Sequence, residues 1–288
     1  MSIRSILYIA CGTEHEVHAM NMAFALARYY TAQLRILHVT PELELYYVDG
    51  MTANAEIAAA IEEDNDKRLK QAKEHAAHYA QLHNIVLNAA DVSPNQPSAR
   101  FIHRQGRVED ILTREGRMSD LIVTGGVKHE TCISQDDLEA ILFATGRPVL
   151  LAPRMQGAIP REWLNRVICI AWDGGLEAAR ALYNAMPFLE RAGKVHLLTV
   201  RSHSQRHKIS DEAPVMEYLN THGIACDAVA LDRGEHSTAE ALLQKAKEYG
   251  AELLVMGAYG HTRLHETILG GVTGHMLKET HIPLLMSH

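Results

Sequence analysis

The chain has 288 residues, of which 47% are hydrophobic and 22% are charged, and its formal net charge is -7. This length suits two domains of ordinary size, and the apolar content is enough to build a core in each. Lysine and arginine form no basic block, which argues against nucleic acid or an acidic membrane as a partner. No stretch approaches the roughly 20 apolar residues of a membrane span. The first residues become strand-like too early for a signal peptide, so we expect a cytoplasmic protein.

The first half alternates short apolar runs with helical patterns. The apolar runs predict strands at 3–10, 34–39, 100–103, 121–124 and 148–152. Apolar residues at helical spacing predict helices across 17–27, 57–79, 108–115 and 138–142. The segment 88–98 contains two prolines and many polar residues, so it is predicted to be a loop.

The same order of elements restarts at Val167, which indicates an internal duplication. The run VICIAW at 167–172 echoes ILYIAC at 6–11, and KVHLLTV at 194–200 echoes AQLRILHV at 32–39. The second copy continues with predicted helices and strands at 178–185, 215–221, 227–231, 238–249, 253–256 and 283–286. Strands that alternate with helices predict right-handed crossovers and a parallel, doubly wound sheet in each copy.

The two copies are predicted to be separate domains. Residues 153–164 carry two prolines and a glycine, which is typical of a linker. We therefore expect a first domain at 1–152 and a second domain at 165–288.

Two separated glycine clusters follow the apolar run at 253–256. Gly257 and Gly260 open a loop in which the backbone can approach a ligand without a Cβ in the way. Gly270 and Gly271 then open a helical pattern. Free N–H groups at a helix N-terminus favour an anion, so this arrangement predicts a phosphate site.

The spacing G-x2-G-x9-G of Gly257, Gly260 and Gly270 resembles the nucleotide-binding motif of the universal stress protein family. With its two copies, the chain resembles a tandem universal stress protein. The resemblance implies an α/β fold of two tandem doubly wound domains, each a five-stranded parallel sheet flanked by helices, of the adenine nucleotide α-hydrolase-like class. It also implies that an adenine nucleotide, ATP in particular and with or without Mg²⁺, binds to the second domain.

The resemblance also assigns contacts to single residues. Asp173 matches an aspartate near the nucleoside, where a carboxylate can accept hydrogen bonds from ribose hydroxyls. The alternative is that Asp173 only forms a turn and helix cap. Val200 matches a position whose backbone meets adenine. The expected binding residues are Asp173, Val200, Met256, Gly257, Gly260, His261, Arg263, Gly270, Gly271, Val272 and Thr273.

One position departs from the family pattern. A serine or threonine usually follows the third glycine, where its hydroxyl helps to hold phosphate, but this chain has Gly271. Thr273, two residues further on, is a candidate substitute. His261 and Arg263 lie in the loop, where they either approach phosphate or are solvated. The missing hydroxyl predicts weaker binding rather than none.

The first half departs from the pattern at each informative position. Gly12 and Lys128 stand where the second half has Asp173 and Gly260. Gly125 and Gly126 are retained, but no glycine pair precedes the helix that follows. We expect the first domain to have lost the family site and to serve structure or partner binding.

Carboxylates stand at the start of that helix instead. Ser134, Asp136 and Asp137 precede the apolar positions at 138–142. Acidic side chains there would occupy the positive end of the helix dipole and repel a phosphate.

Cysteine and histidine placement gives no sign of a metal site. The four cysteines form no C-x2-C pair, and Cys11 and Cys169 lie in or beside apolar runs, so buried free thiols are expected. His261 and His265 stand four residues apart, but no cysteine or carboxylate lies at a ligand spacing beside them.

Three classes of function stay open. The leading hypothesis is a stress-response module that responds to a bound adenine nucleotide. An enzyme that hydrolyses ATP weakly or transfers a nucleotidyl group is the second class, although the chain lacks a P-loop, a dinucleotide motif and a G-x-S-x-G nucleophile motif. No catalytic residue is therefore expected. The third class is an interaction scaffold that binds protein partners and no nucleotide.

The last predicted strand of each copy, at 148–152 and at 283–286, is a short apolar edge. Exposed edges of this kind are normally covered, and the resemblance implies dimerisation through this strand. We expect the two strands to contact each other in an internal pseudo-dimer. A homodimer of the whole chain is also open.

Overall fold

The computed structural model describes residues 2–42, 55–89, 93–126, 133–153, 167–201, 212–260 and 271–288. The chain divides into two compact units. We call Ile3–Thr145 the N-terminal unit and Gly146–His288 the C-terminal unit. The predicted linker at 153–164 lies outside the described residues except for Pro153.

The N-terminal unit is a parallel sheet with four helices among its described residues. Its strands are β1 (Ser5–Ala10), β2 (Gln33–Pro41), β3 (Val86–Leu87), β4 (Ser98–Gly106) and β5 (Leu121–Gly125). Its helices are α1 (Val17–Tyr30), α2 (Ala55–His83), α3 (Val108–Gly116) and α4 (Gln135–Ala144). The strands lie in the order β3-β4-β2-β1-β5 and pair in parallel. All of β5 is buried, as expected for a strand covered on both faces.

The C-terminal unit repeats this plan. Its strands are β6 (Val149–Ala152), β7 (Val167–Ala171), β8 (Lys194–Arg201), β9 (Cys226–Asp232), β10 (Leu253–Gly257) and β11 (Leu284–Ser287). Its helices are α5 (Leu176–Leu189), α6 (Glu212–Thr221), α7 (Thr238–Glu248) and α8 (Gly271–Glu279). The strands lie in the order β6-β11-β10-β7-β8-β9.

Strand order in the C-terminal unit reverses next to β7. Chain order runs outward from β7 to β8 and β9 on one side, while β10 and β11 lie on its other side. Doubly wound sheets bind ligands beyond the carboxyl ends of their strands at such a switch point. The carboxyl ends of β7 and β10 are therefore the first place to look for a ligand site.

Strand β6 pairs with β11 and is the antiparallel member of its sheet. Leu150 lies opposite Leu285, and Val149 lies opposite Met286. The predicted contact between the last strands of the two copies is therefore present, and it lies inside the C-terminal unit. The internal pseudo-dimer and the domain limits at 152 and 165 stay predictions.

The predicted fold class is confirmed, with three differences in the strands. The C-terminal unit has six strands among its described residues, with β6 antiparallel to β11, where five parallel strands were expected. The strand predicted at 148–152 belongs to the C-terminal unit, so β3 supplies the fifth strand of the N-terminal unit. β3 has two residues, and neither is buried, so no apolar run marks it. Strand β4 extends beyond the predicted 100–103, because each of its nine residues pairs with β2.

The cysteines follow the prediction in part. Cys11 is disulfide-bonded, so the expectation of a free thiol is wrong there. Spacing along a chain does not determine which cysteines meet in a fold. Cys169 and Cys226 are free. Burial raises the pKa of the Cys169 thiol to about 12 and that of Cys226 to about 11, which keeps both protonated at neutral pH.

In the ranges that the structure describes, no helix has both the length and the apolarity needed to cross a membrane.

Candidate functional site

The carboxyl end of β10 packs directly against the first turn of α5. A Cβ added at Gly257 would lie 2.6 Å from the Ala178 amide nitrogen and 2.7 Å from the Glu177 carbonyl carbon. Contacts this short with backbone atoms would force the strand and helix apart, so only glycine fits. Gly257 therefore has a packing role at the site whether or not a ligand is present.

The loop that follows β10 is anchored to the end of the chain. The Ala258 amide donates to the Ser287 carbonyl at 2.8 Å. Nδ1 of His288 is hydrogen-bonded to the Ala258 carbonyl at 3.0 Å. The next residue, Tyr259, has a φ of 61°, which a bulky side chain seldom adopts. The backbone between Gly257 and Gly260 is thus held in one defined shape.

Helix α8 starts beside this loop. The Tyr259 amide donates to Oγ1 of Thr273 at 3.3 Å, and Thr273 is buried. A Cβ added at Gly271 would meet no described atom within 4 Å, and the first turn of α8 carries no acidic residue. Val272 is half-buried. The loop after β10 therefore meets the first described turn of α8, and the N–H groups of a first helical turn favour an anion.

Thr273 connects the loop to the helix through its hydroxyl oxygen. That contact gives it a structural role, which the sequence did not predict. The idea that Thr273 replaces the hydroxyl missing at Gly271 stays a prediction.

Asp173 forms the turn from β7 into α5. Its Oδ1 accepts a hydrogen bond of 2.8 Å from the amide of Gly175, which is the N-cap residue of α5. Its Oδ2 lies toward the loop, 3.8 Å from a Cβ added at Gly260. The turn interpretation therefore fits the contact made by Oδ1. The expected contact of Asp173 with a ribose stays a prediction.

Val200 lies near the carboxyl end of β8 and Met256 near that of β10, and β7 lies between these two strands. Val200 is half-buried and pairs in register with Leu231, and β8 continues to Arg201. Met256 is buried and pairs with Met286. The Met256 side chain is therefore part of the core, and its backbone is the part that can face a ligand.

Three predicted site residues, His261, Arg263 and Gly270, lie outside the described residues. The same is true of Lys128 and of His265, the second histidine of the considered metal pair. Across the described ranges, histidine, cysteine, aspartate and glutamate side chains nowhere form a group of three suited to a metal ion.

Sequence reasoning missed Glu177. Its Oε2 lies 3.0 Å from a Cβ added at Gly260 and 3.4 Å from one added at Gly175. The sequence carries no clear signal for it, because a glutamate in the first turn of a helix is common.

In the N-terminal unit, helix α2 fills the corresponding crevice. Gly12, the counterpart of Asp173, has a φ of 67°, and a Cβ added to it would lie 1.8 Å from the carbonyl oxygen of Arg68. An aspartate at this position would therefore collide with the backbone of α2. The glycine found there is the residue that this packing requires.

A buried carboxylate binds the backbone N–H groups that follow β1. Glu16 is 1% exposed, and its Oε2 accepts from the amides of Cys11 at 2.7 Å and Gly12 at 3.1 Å. Its Oε1 is hydrogen-bonded to Nδ1 of His75 on α2 at 2.7 Å. This contact raises the pKa of His75, and burial opposes the rise. The carboxylate of Glu16 therefore occupies the carboxyl end of β1, the end of the strand at which a doubly wound sheet binds its ligand.

The start of α4 is also occupied by a carboxylate of the chain. Oδ2 of Asp137 accepts from the Ser134 amide at 3.0 Å, and Oγ of Ser134 accepts from the Asp137 amide at 3.0 Å. This reciprocal capping places a negative charge at the positive end of the helix. The arrangement agrees with the prediction that this helix start repels phosphate.

The fold and the site together define a tandem pair of doubly wound α/β domains with a glycine loop beside a helix N-terminus in the second. The model of the Universal stress protein family matches residues 2–132 and 165–288. These ranges cover most of the chain, which therefore belongs to the universal stress protein family and carries its domain twice.

Relatives of similar length share this organisation. Universal stress protein Slr1230 of Synechocystis sp. is 22% identical over 293 residues, covering 98% of this chain and 99% of that protein. The solved universal stress protein from Archaeoglobus fulgidus DSM 4304 is 16% identical with a TM-score of 0.66, covering 98% and 97% of the two chains. A putative universal stress protein from Pseudomonas aeruginosa UCBPP-PA14 is 16% identical with a TM-score of 0.56, covering 99% and 93%.

Another solved universal stress protein was obtained in complex with cAMP. It is 15% identical, has a TM-score of 0.36, and covers 53% of this chain and 99% of its own.

Proposed function

We propose that this protein is a cytoplasmic stress-response module whose C-terminal unit binds an adenine nucleotide, ATP in particular. The phosphates would lie over 257–260 and the N–H groups at the start of α8. Asp173 would face the ribose, and the backbone at Val200 would meet the adenine. Mg²⁺ would accompany the phosphates without a dedicated protein cage, as is usual for this ion.

One observation carries the proposal. The Tyr259 amide is hydrogen-bonded to Thr273, which brings the loop after β10 against the start of α8. The loop, whose glycines allow a close approach of its backbone, then lies beside the N–H groups of the first described turn of α8 and the positive end of its helix dipole. In this part of α8 no acidic side chain of the first turn competes for those groups.

The N-terminal unit supports the proposal by contrast. The Ser134 amide at the start of α4, the helix that corresponds to α8, already binds the carboxylate of Asp137. The amides after β1 bind the buried carboxylate of Glu16, which also holds His75, so a nucleotide at the end of that strand would have to displace it. We therefore propose one nucleotide site per chain.

Gly271 offers the sharpest test of the proposal. Because a Cβ at Gly271 would meet no atom of the described residues within 4 Å, we expect a serine to fit without disturbing that part of the fold. A hydroxyl on phosphate adds about 1.5 to 3 kcal/mol, so we expect Gly271→Ser to tighten ATP binding by roughly tenfold or more. Calorimetric titration of the intact chain with ATP measures this change.

Gly271→Ala is the matched control, because it adds the same Cβ without the hydroxyl. We expect it to bind ATP as the parent does. If the parent shows no binding at millimolar ATP and Gly271→Ser gains none, the nucleotide proposal is rejected and the interaction scaffold takes its place.

A further inference from the structure

We propose that Glu177 sets the charge selectivity of the nucleotide site, disfavouring metal-free polyphosphate relative to an uncharged nucleoside. This inference rests on the proposed function. Glu177 thereby acts as a specificity-determining residue and not as a catalytic one.

The geometry places this carboxylate in the path of the phosphates. Oε2 of Glu177 lies 3.0 Å from a Cβ added at Gly260, and Oδ2 of Asp173 lies 3.8 Å from the same point. Gly260 is the residue whose missing side chain allows a phosphate to approach the backbone. Two carboxylates therefore border the space that the phosphates need.

The charge of Glu177 is not neutralised by the cations of the described part of the unit. The ion pairs found there join Lys194 and His196 to Asp227, and Lys245 to Glu248. Glu177 is half-exposed, so solvent screens its charge only in part. A polyphosphate placed beside it meets a like charge, and like charges repel most strongly where water is excluded.

The N-terminal unit shows what a glutamate at this position can do. Trp172 matches Cys11 when the two first strands of the copies are aligned. Glu16 stands five residues after Cys11, and Glu177 stands five residues after Trp172. In the N-terminal unit the glutamate has turned inward and binds the backbone amides of Cys11 and Gly12. Glu177 lies against the glycine loop instead, close enough to compete with a phosphate for that space.

The test compares ATP with adenosine, which lacks every phosphate. Parent and Glu177→Gln are titrated as intact chains in buffer containing a chelator, and again with excess Mg²⁺. Glutamine keeps the shape of the side chain and removes its charge. Glu190→Gln is the matched control, because it removes one exposed negative charge at the far end of the same helix.

We expect Glu177→Gln to tighten the binding of metal-free ATP on the order of tenfold and to change the affinity for adenosine by less than about twofold. With Mg²⁺ present, we expect a smaller effect on ATP binding, because the ion neutralises phosphate charge. Glu190→Gln should change neither ligand. If adenosine binds and the ratio of ATP affinity to adenosine affinity is the same in the parent and in Glu177→Gln, this inference is wrong while the proposed function stands. Weaker Mg²⁺-ATP binding in Glu177→Gln would overturn it too, since the carboxylate would then attract the ligand through the ion. Failure of ATP and adenosine to bind to either protein would reject the proposed function together with the inference.

Discussion

The two units differ in the carboxylate that lies at the carboxyl end of their first equivalent strand, Glu16 after β1 and Asp173 after β7. Glu16 is enclosed and binds two backbone amides and His75, whereas Asp173 is exposed and binds the turn amide of Gly175. A buried charge is tolerated only when it is paired and hydrogen-bonded. Glu16 therefore depends on its partner on α2.

His75 gives this dependence a measurable pH profile. Its hydrogen bond to the Glu16 carboxylate raises the pKa of His75 above the ordinary value of 6.5. A raised folded-state pKa contributes stability that is complete below the unfolded value and is lost as pH rises through the folded value. We expect His75→Gln to lower the free energy of unfolding by about 1 to 2 kcal/mol at about pH 6, and by clearly less at about pH 9.

Urea denaturation of the intact chain at the two pH values measures this difference. His78→Gln is the control, since His78 is an exposed histidine on the same helix. A destabilisation by His75→Gln that grows as pH rises would show that the contact does not act through the charged imidazole.

At the scale of whole elements, the approach of β10 to α5 depends on Gly257. A Cβ there would lie 2.6 Å from the Ala178 amide nitrogen, whereas a Cβ on Gly125, which ends β5, would lie 3.9 Å from the Ala19 side chain. We expect Gly257→Ala to destabilise the C-terminal unit by about 1 to 3 kcal/mol, lowering its melting temperature by roughly 4–10 °C. Thermal unfolding followed by circular dichroism measures the change.

Gly125→Ala is the matched variant for this experiment. It makes the same substitution at the end of the equivalent strand, where an ordinary van der Waals contact is all that the new methyl group meets. We expect its melting temperature to stay close to that of the parent. Equal losses in the two variants would show that the close approach at Gly257 is not what limits the substitution.

Most elements could be predicted because they bury continuous apolar runs or regular helical faces. The runs at 121–124 and 253–256 appear as β5 and β10, each extended by one glycine. Strand β3 could not be predicted, because its existence depends on pairing with Ser98 and Ala99 rather than on its own two residues. The contact of α2 with Gly12 could not be predicted either, because Arg68 is remote from Gly12 in the sequence.

At the scale of the whole molecule, duplication has produced two units with one plan and different sites. Gly257 could be recognised because a close backbone approach needs a residue without a Cβ, which leaves a glycine in the sequence. Glu177 and Tyr259 could not, because a glutamate in a first helical turn and an aromatic residue in a loop are ordinary. Their importance comes from what the fold places beside them, namely Gly260 and Thr273.

The pairing of β6 with β11 joins the last strand of each copy in one sheet. Pairing covers an edge that would otherwise be open to other chains. The internal pseudo-dimer of the two copies stays a prediction.

The central claim is that ATP binds to the C-terminal unit and not to the N-terminal unit. Hydrogen–deuterium exchange of the intact chain, with and without millimolar ATP and Mg²⁺, tests this most directly, because bound ligand slows exchange of the amides it covers. We expect slower exchange in peptides that cover 171–177, 257–260 and 271–273, and unchanged exchange at 10–16 and 134–137. Slower exchange confined to the N-terminal unit, or unchanged exchange throughout the chain, would contradict the claim.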